Sequence, residues 1–210
     1  METISTPDGT TTWKFTKAEL IALLAHASTE PMRESLYGLV LEASLGRAFA
    51  TDGHRLAMVT AGARLASQDA TKTRAIIPTD VLAQVVKLAG KKDIVRITPN
   101  CTTVKVEVSC VDRWQNETPG PSFTGPLGAA DNCPPVDEVL PAYAQNHTGT
   151  VAGINTAYLA DLELVARASS EHRLAGVMLY PPSDPTSPFK AECNAIDGTR
   201  WVVAIMPMRI

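Results

Sequence analysis

RAFATDGHRLAMV, residues 47–59, is two short β-type runs with a hard turn between them. Residues 47–51 lead in, Asp52-Gly53 turns the chain, and residues 55–59 lead out. Asp-Gly between such runs marks a hairpin, because glycine takes the positive φ that a tight turn needs. His54 and Arg55, directly after the turn, are polar and stand at a strand edge where a partner could reach them. On local pattern alone the plain reading is a solvated turn, and a contact corner is the alternative.

Upstream of the hairpin, residues 1–11 are polar and Thr-rich and read as a flexible tail. Residues 12–15 alternate like a strand. Thr16-Lys-Ala-Glu19 has the form of a capping box, so a helix should start there and end near residues 26–28. Leu20, Ile21, Leu23 and Leu24 give it an apolar side. A strand over residues 35–43 and a turn at Leu45-Gly46 complete a β-α-β-β-β unit with the hairpin. The pattern then repeats. Residues 73–77 read as a strand, Pro78 opens a helix that stops at Gly90, and residues 94–98 and 103–109 are strands. In the last of these, Val104, Val106 and Val108 share the inner face. Residues 115–135, rich in Pro, Gly, Asn and Ser, read as a long irregular loop. A third unit follows: a strand over 150–154, Asn155 as the cap of a helix over 156–168, and closing strands at 177–180, 190–196 and 201–208. The fold class is therefore α+β, built of about three β-α-β-β-β units.

Composition narrows the possible functions. The 210 residues are 45% hydrophobic and 20% charged, which suits a globular chain with a real core. Neither a basic start with an apolar stretch behind it nor a membrane-length apolar run occurs, so a cytoplasmic protein is expected. A net charge of −3 argues against coating nucleic acid with the whole surface, while leaving room for a local basic face. Cys101, Cys110, Cys133 and Cys193 are dispersed, without a CxxC pair or a neighbouring His. They read as reduced, buried thiols rather than a zinc site. The sequence has no GxSxG elbow, phosphate loop, Rossmann fingerprint or HExxH. No catalytic residue, metal or cofactor is expected.

ATDGHRLA, residues 50–57, resembles the signature of the second domain of bacterial β sliding clamps, the processivity subunits of DNA polymerase III. Three further stretches resemble the same family, in the family's order. Met32-Arg-Glu-Ser-Leu-Tyr-Gly-Leu-Val-Leu-Glu42 is similar to the strand before the signature. Cys133-Pro-Pro-Val-Asp-Glu-Val-Leu-Pro141 is similar to the segment joining the second and third domains. Ala204-Ile-Met-Pro-Met-Arg-Ile210 is similar to the terminal strand. The resemblance implies a shortened clamp of about one and a half clamp domains. The first domain is lacking, residues 12–142 match the second, and residues 143–210 match the C-terminal half of the third. A half domain leaves sheet edges unpartnered, so self-association is expected, with half domains pairing across a two-fold.

Such clamps hold short peptides of polymerases and other replication and repair proteins in an apolar cleft. Carried over by resemblance, that cleft is Leu36, Thr51, Gly53, His54, Arg55, Leu56, Pro134, Val139, Met206, Pro207, Met208 and Arg209. Methionines suit a pocket that accepts several apolar side chains, and Arg55 and Arg209 are expected as rim donors. Where the family has a Phe and a Tyr in the linker, this chain has Cys133 and Val136, so partner preference is expected to differ. Encircling double-stranded DNA would call on Lys17, Lys87, Lys91 and Lys92. Against it, the third helix carries Asp161 and Glu163 beside a lone Arg167. The implied function is a peptide-binding clamp of DNA replication, a processivity factor once assembled into a ring. The alternative is a phage or mobile-element decoy that binds clamp partners without circling DNA.

Overall fold

A computed structural model describes residues 1–5, 11–61, 74–112, 114, 116–128, 133, 136–140, 153–169, 176–182, 184–195 and 198–208. The first unit comprises β2 (Thr11–Thr16), α1 (Lys17–Leu24), β3 (Gly38–Glu42), β4 (Arg47–Thr51) and β5 (Arg55–Thr60), preceded by β1 (Glu2–Ser5). The second is β6 (Arg74–Pro78), α2 (Thr79–Leu88), β7 (Ile94–Pro99), β8 (Thr103–Val111) and β9 (Glu117–Pro126). A short helix α3 (Val136–Val139) precedes the third: α4 (Thr156–Ser169), β10 (Met178–Tyr180), β11 (Phe189–Asn194) and β12 (Arg200–Ile205). None of the described helices is long and apolar enough to cross a membrane.

The first two units exchange their leading strands. β2 leaves its own meander to pair with β7, and β6 pairs with β3, both antiparallel. Two sheets result, ordered β1-β2-β7-β8-β9 and β10-β11-β12-β5-β4-β3-β6. The third unit joins the second sheet through β12, which lies against β5 with Trp201 opposite Val59 and Ala204 opposite Leu56. α1 packs against both α2 and α4. Trp13, Phe15, Leu20, Leu39, Leu82, Val106, Trp201 and Val203 belong to one core on the helix side. On the other face of the seven-stranded sheet, Val40, Phe49, Leu56, Met58, Ile76, Val202 and Ala204 form a second cluster capped by Cys133 and Val136. β3 and β4 are buried along their whole length because both faces are covered.

Local chemistry sets the element ends. The Thr16–Glu19 capping box forms as expected: Thr16 Oγ1 accepts from the Glu19 amide at 3.2 Å, and Glu19 Oε2 accepts from the Thr16 amide at 2.8 Å. Gly46 at φ 56° and Gly53 at φ 91° make the two turns around β4. Asn155 caps α4, its Oδ1 accepting from the Ala157 amide at 3.0 Å.

Three expectations need correction. The stretch read as a flexible tail begins with β1, which adds to β2 with Glu2 opposite Lys14. Their ion pair, at 3.1 Å, and that of the Met1 amine with Glu19 hold it there. Within the supposed loop at 115–135 lies the ten-residue strand β9, which pairs with β8 and is the last strand of its sheet among the described residues. An edge strand needs hydrogen bonds on one side alone, so it tolerates Pro119, Pro121 and Pro126. An extra residue in β9 opposite Val108 makes a bulge at Gly120, where a Cβ would lie 2.6 Å from the Val108 carbonyl oxygen. Finally, of the four thiols only Cys133 and Cys193 are buried, their acidity weakened by that burial, while Cys101 and Cys110 are exposed.

Candidate functional site

The hairpin between β4 and β5 builds the corner from its own side chains. Asp52 Oδ1 accepts from the amides of His54 at 2.8 Å and Arg55 at 3.0 Å. Thr51 Oγ1 donates to the Arg55 carbonyl at 2.7 Å and accepts from the Gly53 amide at 3.1 Å. The turn is thus satisfied internally, and Gly53 and His54 are left exposed on it. Leu36 packs beside Gly53, its Cδ1 lying 3.8 Å from where a Cβ there would be.

The chain returns to this corner after β12. The Met206 amide donates to the His54 carbonyl at 2.8 Å, and the Met208 amide to the Gly153 carbonyl at 2.8 Å. Met206 and Met208 remain 38% and 53% exposed, with Pro207 half-buried between them. Beneath, Leu56 and Ala204 are cross-strand partners in the buried second cluster. Exposed methionines over a fixed apolar floor make a surface that adapts to apolar side chains.

The linker packs on the same apolar cluster that contains Leu56 and Ala204. Val136 is fully buried against the same cluster, and Leu140 packs on it. Asp137 anchors α3 to the sheet, its two oxygens taking the Arg47 guanidinium at 2.6 and 2.9 Å. Arg47 also reaches Glu42, and Arg74 Nε donates to Glu42 at 2.9 Å. Those hydrogen bonds from Arg47 hold the Asp137 carboxyl below its ordinary range, and Asp137 in turn raises Arg47.

The structure therefore brings Leu36, Thr51, Gly53, His54, Arg55, Leu56, Met206, Pro207 and Met208 together at one corner. Pro134 and Arg209 lie outside the described residues, as does the side chain of Val139. Arg55 is not the free rim donor expected of it. Its guanidinium bonds Asp52 at 2.9 Å, reaches Asp161 of α4, and stacks 4.6 Å over the Tyr158 ring. It ties the hairpin to the third unit. Asp161 is correspondingly engaged within the fold and is not a free acidic charge on α4. The Arg47–Asp137 contact went unseen because no local pattern links residues so far apart.

The four lysines gather elsewhere. Lys17, at the start of α1, donates to the Ala89 carbonyl at 2.7 Å, where α2 ends. Lys87, Lys91 and Lys92 are exposed at that same end of α2. Among the described residues, no group of three or more His, Cys, Asp or Glu side chains could hold a metal ion.

No family model matches the chain, and no curated protein matches it. Solved structures do, and they show the fold. The chain superposes on the DNA polymerase III subunit beta from Pseudomonas aeruginosa with a TM-score of 0.65 at 20% identity, covering 100% of this chain and 69% of that one. For the subunit from Borrelia burgdorferi in complex with a natural product the TM-score is 0.66 at 12% identity, covering 100% and 67%. For the C. crescentus beta sliding clamp with PEG bound to a putative beta-motif tethering region it is 0.59 at 19% identity, covering 99% and 68%. The fold is that of the bacterial sliding clamps, and this chain spans about two thirds of their length.

Proposed function

We propose that this protein is a sliding-clamp-like factor of DNA replication. Its hairpin corner would capture short apolar peptide segments of polymerases and other replication proteins. The observation that carries the reading is the Met206–His54 backbone bond, which brings the segment with the exposed Met206 and Met208 to the Asp52-Gly53 turn, where Leu36 packs beside Gly53. A matched fold supports the reading, and the clamp in the relative from C. crescentus has PEG at its putative tethering region. The role is binding rather than catalysis, needs no cofactor, and belongs in the cytoplasm with the replication machinery. We read residues 12–142 as a complete clamp domain and 143–210 as half of one.

Fluorescence anisotropy with a labelled peptide carrying a polymerase's clamp-binding motif tests this. Saturable binding that Met208→Asp weakens at least tenfold supports the proposal; Met208 is exposed, so the fold should survive the change. Absence of saturable binding overturns it.

A second arm, DNA encirclement, rests on the lysines at the α1–α2 junction and requires several copies to close a ring. The exposed Glu163, paired with Arg167 at 2.5 Å, dilutes positive charge on α4 and favours the alternative of a decoy that binds the same peptides without DNA. Retention on circular DNA but release from linear DNA would decide for the ring.

A further inference from the structure

Among the described residues the third unit repeats the helix and meander of the first two, α4 followed by β10, β11 and β12, with no other unit beside it. In both complete pairings the register follows one rule. The residue immediately before the helix faces the first residue of the other unit's first meander strand: Thr16 faces Ile94, and Pro78 faces Gly38. One residue earlier comes an apolar pair, Phe15 with Val95 and Ile77 with Leu39, all four fully buried. Two residues before that first contact, the leading strand of the second unit turns its other edge to its own unit's end, through the bridge Ile76 to Gly128.

Ahead of α4 the same positions are Asn155, Ile154 and Gly153. Gly153 bridges Met208, just past β12, as Ile76 bridges Gly128 just past β9. β10 occupies the place of β3 and β7, yet among the described residues it is the last strand of its sheet. Its Met178 and Leu179 are 48% and 59% exposed, where Leu39 and Val95 are fully buried. Between β10 and α4 opens an apolar cavity of about 250 Å³, lined by Ile154, Leu159, Leu179, Pro181, Phe189 and Ile205 among others. In the first two units the comparable layer holds Ile77, Leu82 and Val85 of the partner unit, none of them exposed.

We propose that a second copy of this chain fills that place, each copy laying the segment before α4 on the other's β10 with Ile154 facing the partner's Leu179. What the first two units supply to each other is a leading segment, and among the described residues the third unit offers one, Gly153 to Asn155, that lies on no other unit's meander. A two-fold axis then lays both segments on both β10 strands at once, in the same exchange that the first two units perform within the chain. Asn155 faces Met178 across that axis, and Gly153 faces Tyr180. The product is a complete clamp-type domain shared by two copies, flanked by the complete domain of each. Peptide capture at the hairpin corner does not enter into it.

Light scattering on the purified full chain should give twice the 22.4 kDa chain mass, or an even multiple of it. Leu179→Arg, a change at an exposed side chain, should halve that mass while leaving circular dichroism unchanged. Leu88→Arg, on the exposed end of α2, should leave it intact. Register is tested with Ile154→Cys and Leu179→Cys together, in a background with Cys101→Ser and Cys110→Ser. Mild oxidation should give a reducible covalent dimer on a denaturing gel, and neither single cysteine variant should. A monomeric wild type, a disulfide closed only within one chain, or a dimer formed by the Leu179→Cys variant alone would each overturn the proposal. A monomer that still bound peptide would overturn this inference and leave the functional proposal standing.

Discussion

Replacing Arg47 by alanine removes the cation that joins the linker to the sheet. The Arg47 side chain is 8% exposed, as is Glu42, whereas the Asp137 side chain is 70% exposed. The loss therefore falls unequally. Asp137 is rehydrated at little cost, but Glu42 remains buried with only Arg74 on its other oxygen at 2.9 Å. Breaking a buried pair by deleting one partner costs about 3–5 kcal/mol. With Arg74 still in place, Arg47→Ala belongs at the lower end, about 3 kcal/mol. Asp137→Ala leaves Arg47 on Glu42 and should cost no more than about 1 kcal/mol, as for other exposed pairs. Urea unfolding at neutral pH, followed by circular dichroism, separates the two variants. If Arg47→Ala cost less than about 1 kcal/mol, or no more than Asp137→Ala, the network would not be holding the linker as described. Because α3 covers the apolar cluster that contains Leu56 and Ala204, Asp137→Ala should also weaken peptide affinity by roughly fivefold, the equivalent of 1 kcal/mol.

Two further outcomes follow from the interior. His26 is fully buried, with Nδ1 2.8 Å from the Ala22 carbonyl and Nε2 unpartnered, and burial lowers its pKa from 6.5. The unfolded chain thus binds this proton more readily than the folded one. The stability due to neutral His26 is complete above about pH 6.5 and is lost as pH falls below it. His26→Leu should flatten that part of the stability curve between pH 7.5 and 5.5, measured by urea midpoints. Gly38→Ala would place a Cβ 2.3 Å from the Ile77 carbonyl oxygen, forcing β3 and β6 apart. A loss of about 1–3 kcal/mol is expected in thermal or urea unfolding, and an unchanged midpoint would show that the strands part without cost.

What was legible in the sequence is what neighbours in the chain decide. The Thr16–Glu19 box, the Asp52-Gly53 turn, the alternation of Val104, Val106 and Val108 and the Asn155 cap all depend on residues a few positions apart, and all appear where expected. β9 was illegible because its Pro and Gly content carries a loop's composition, and only its position at a sheet edge makes that content tolerable. β1 was missed because a polar strand shows its pairing only through its partner, here Lys14. The exchange of β2 and β6 between units lies beyond local pattern, since it joins residues such as Phe15 and Val95. For the site, the hairpin's chemistry was readable from Asp52 and Gly53, whose hydrogen bonds and positive φ make the turn. The duty of Arg55 was not. Its partners Tyr158 and Asp161 belong to another unit, and nothing near position 55 announces them.

The most direct test of the corner as a binding site is to locate a bound peptide. A clamp-motif peptide carrying a photoreactive phenylalanine analogue would be irradiated with the protein, and the adducts mapped by mass spectrometry. Crosslinks concentrated on Met206, Met208, His54 and Leu36, and competed away by unlabelled peptide, are expected. Competable crosslinks confined to another surface, or none above background at saturating peptide, would contradict it.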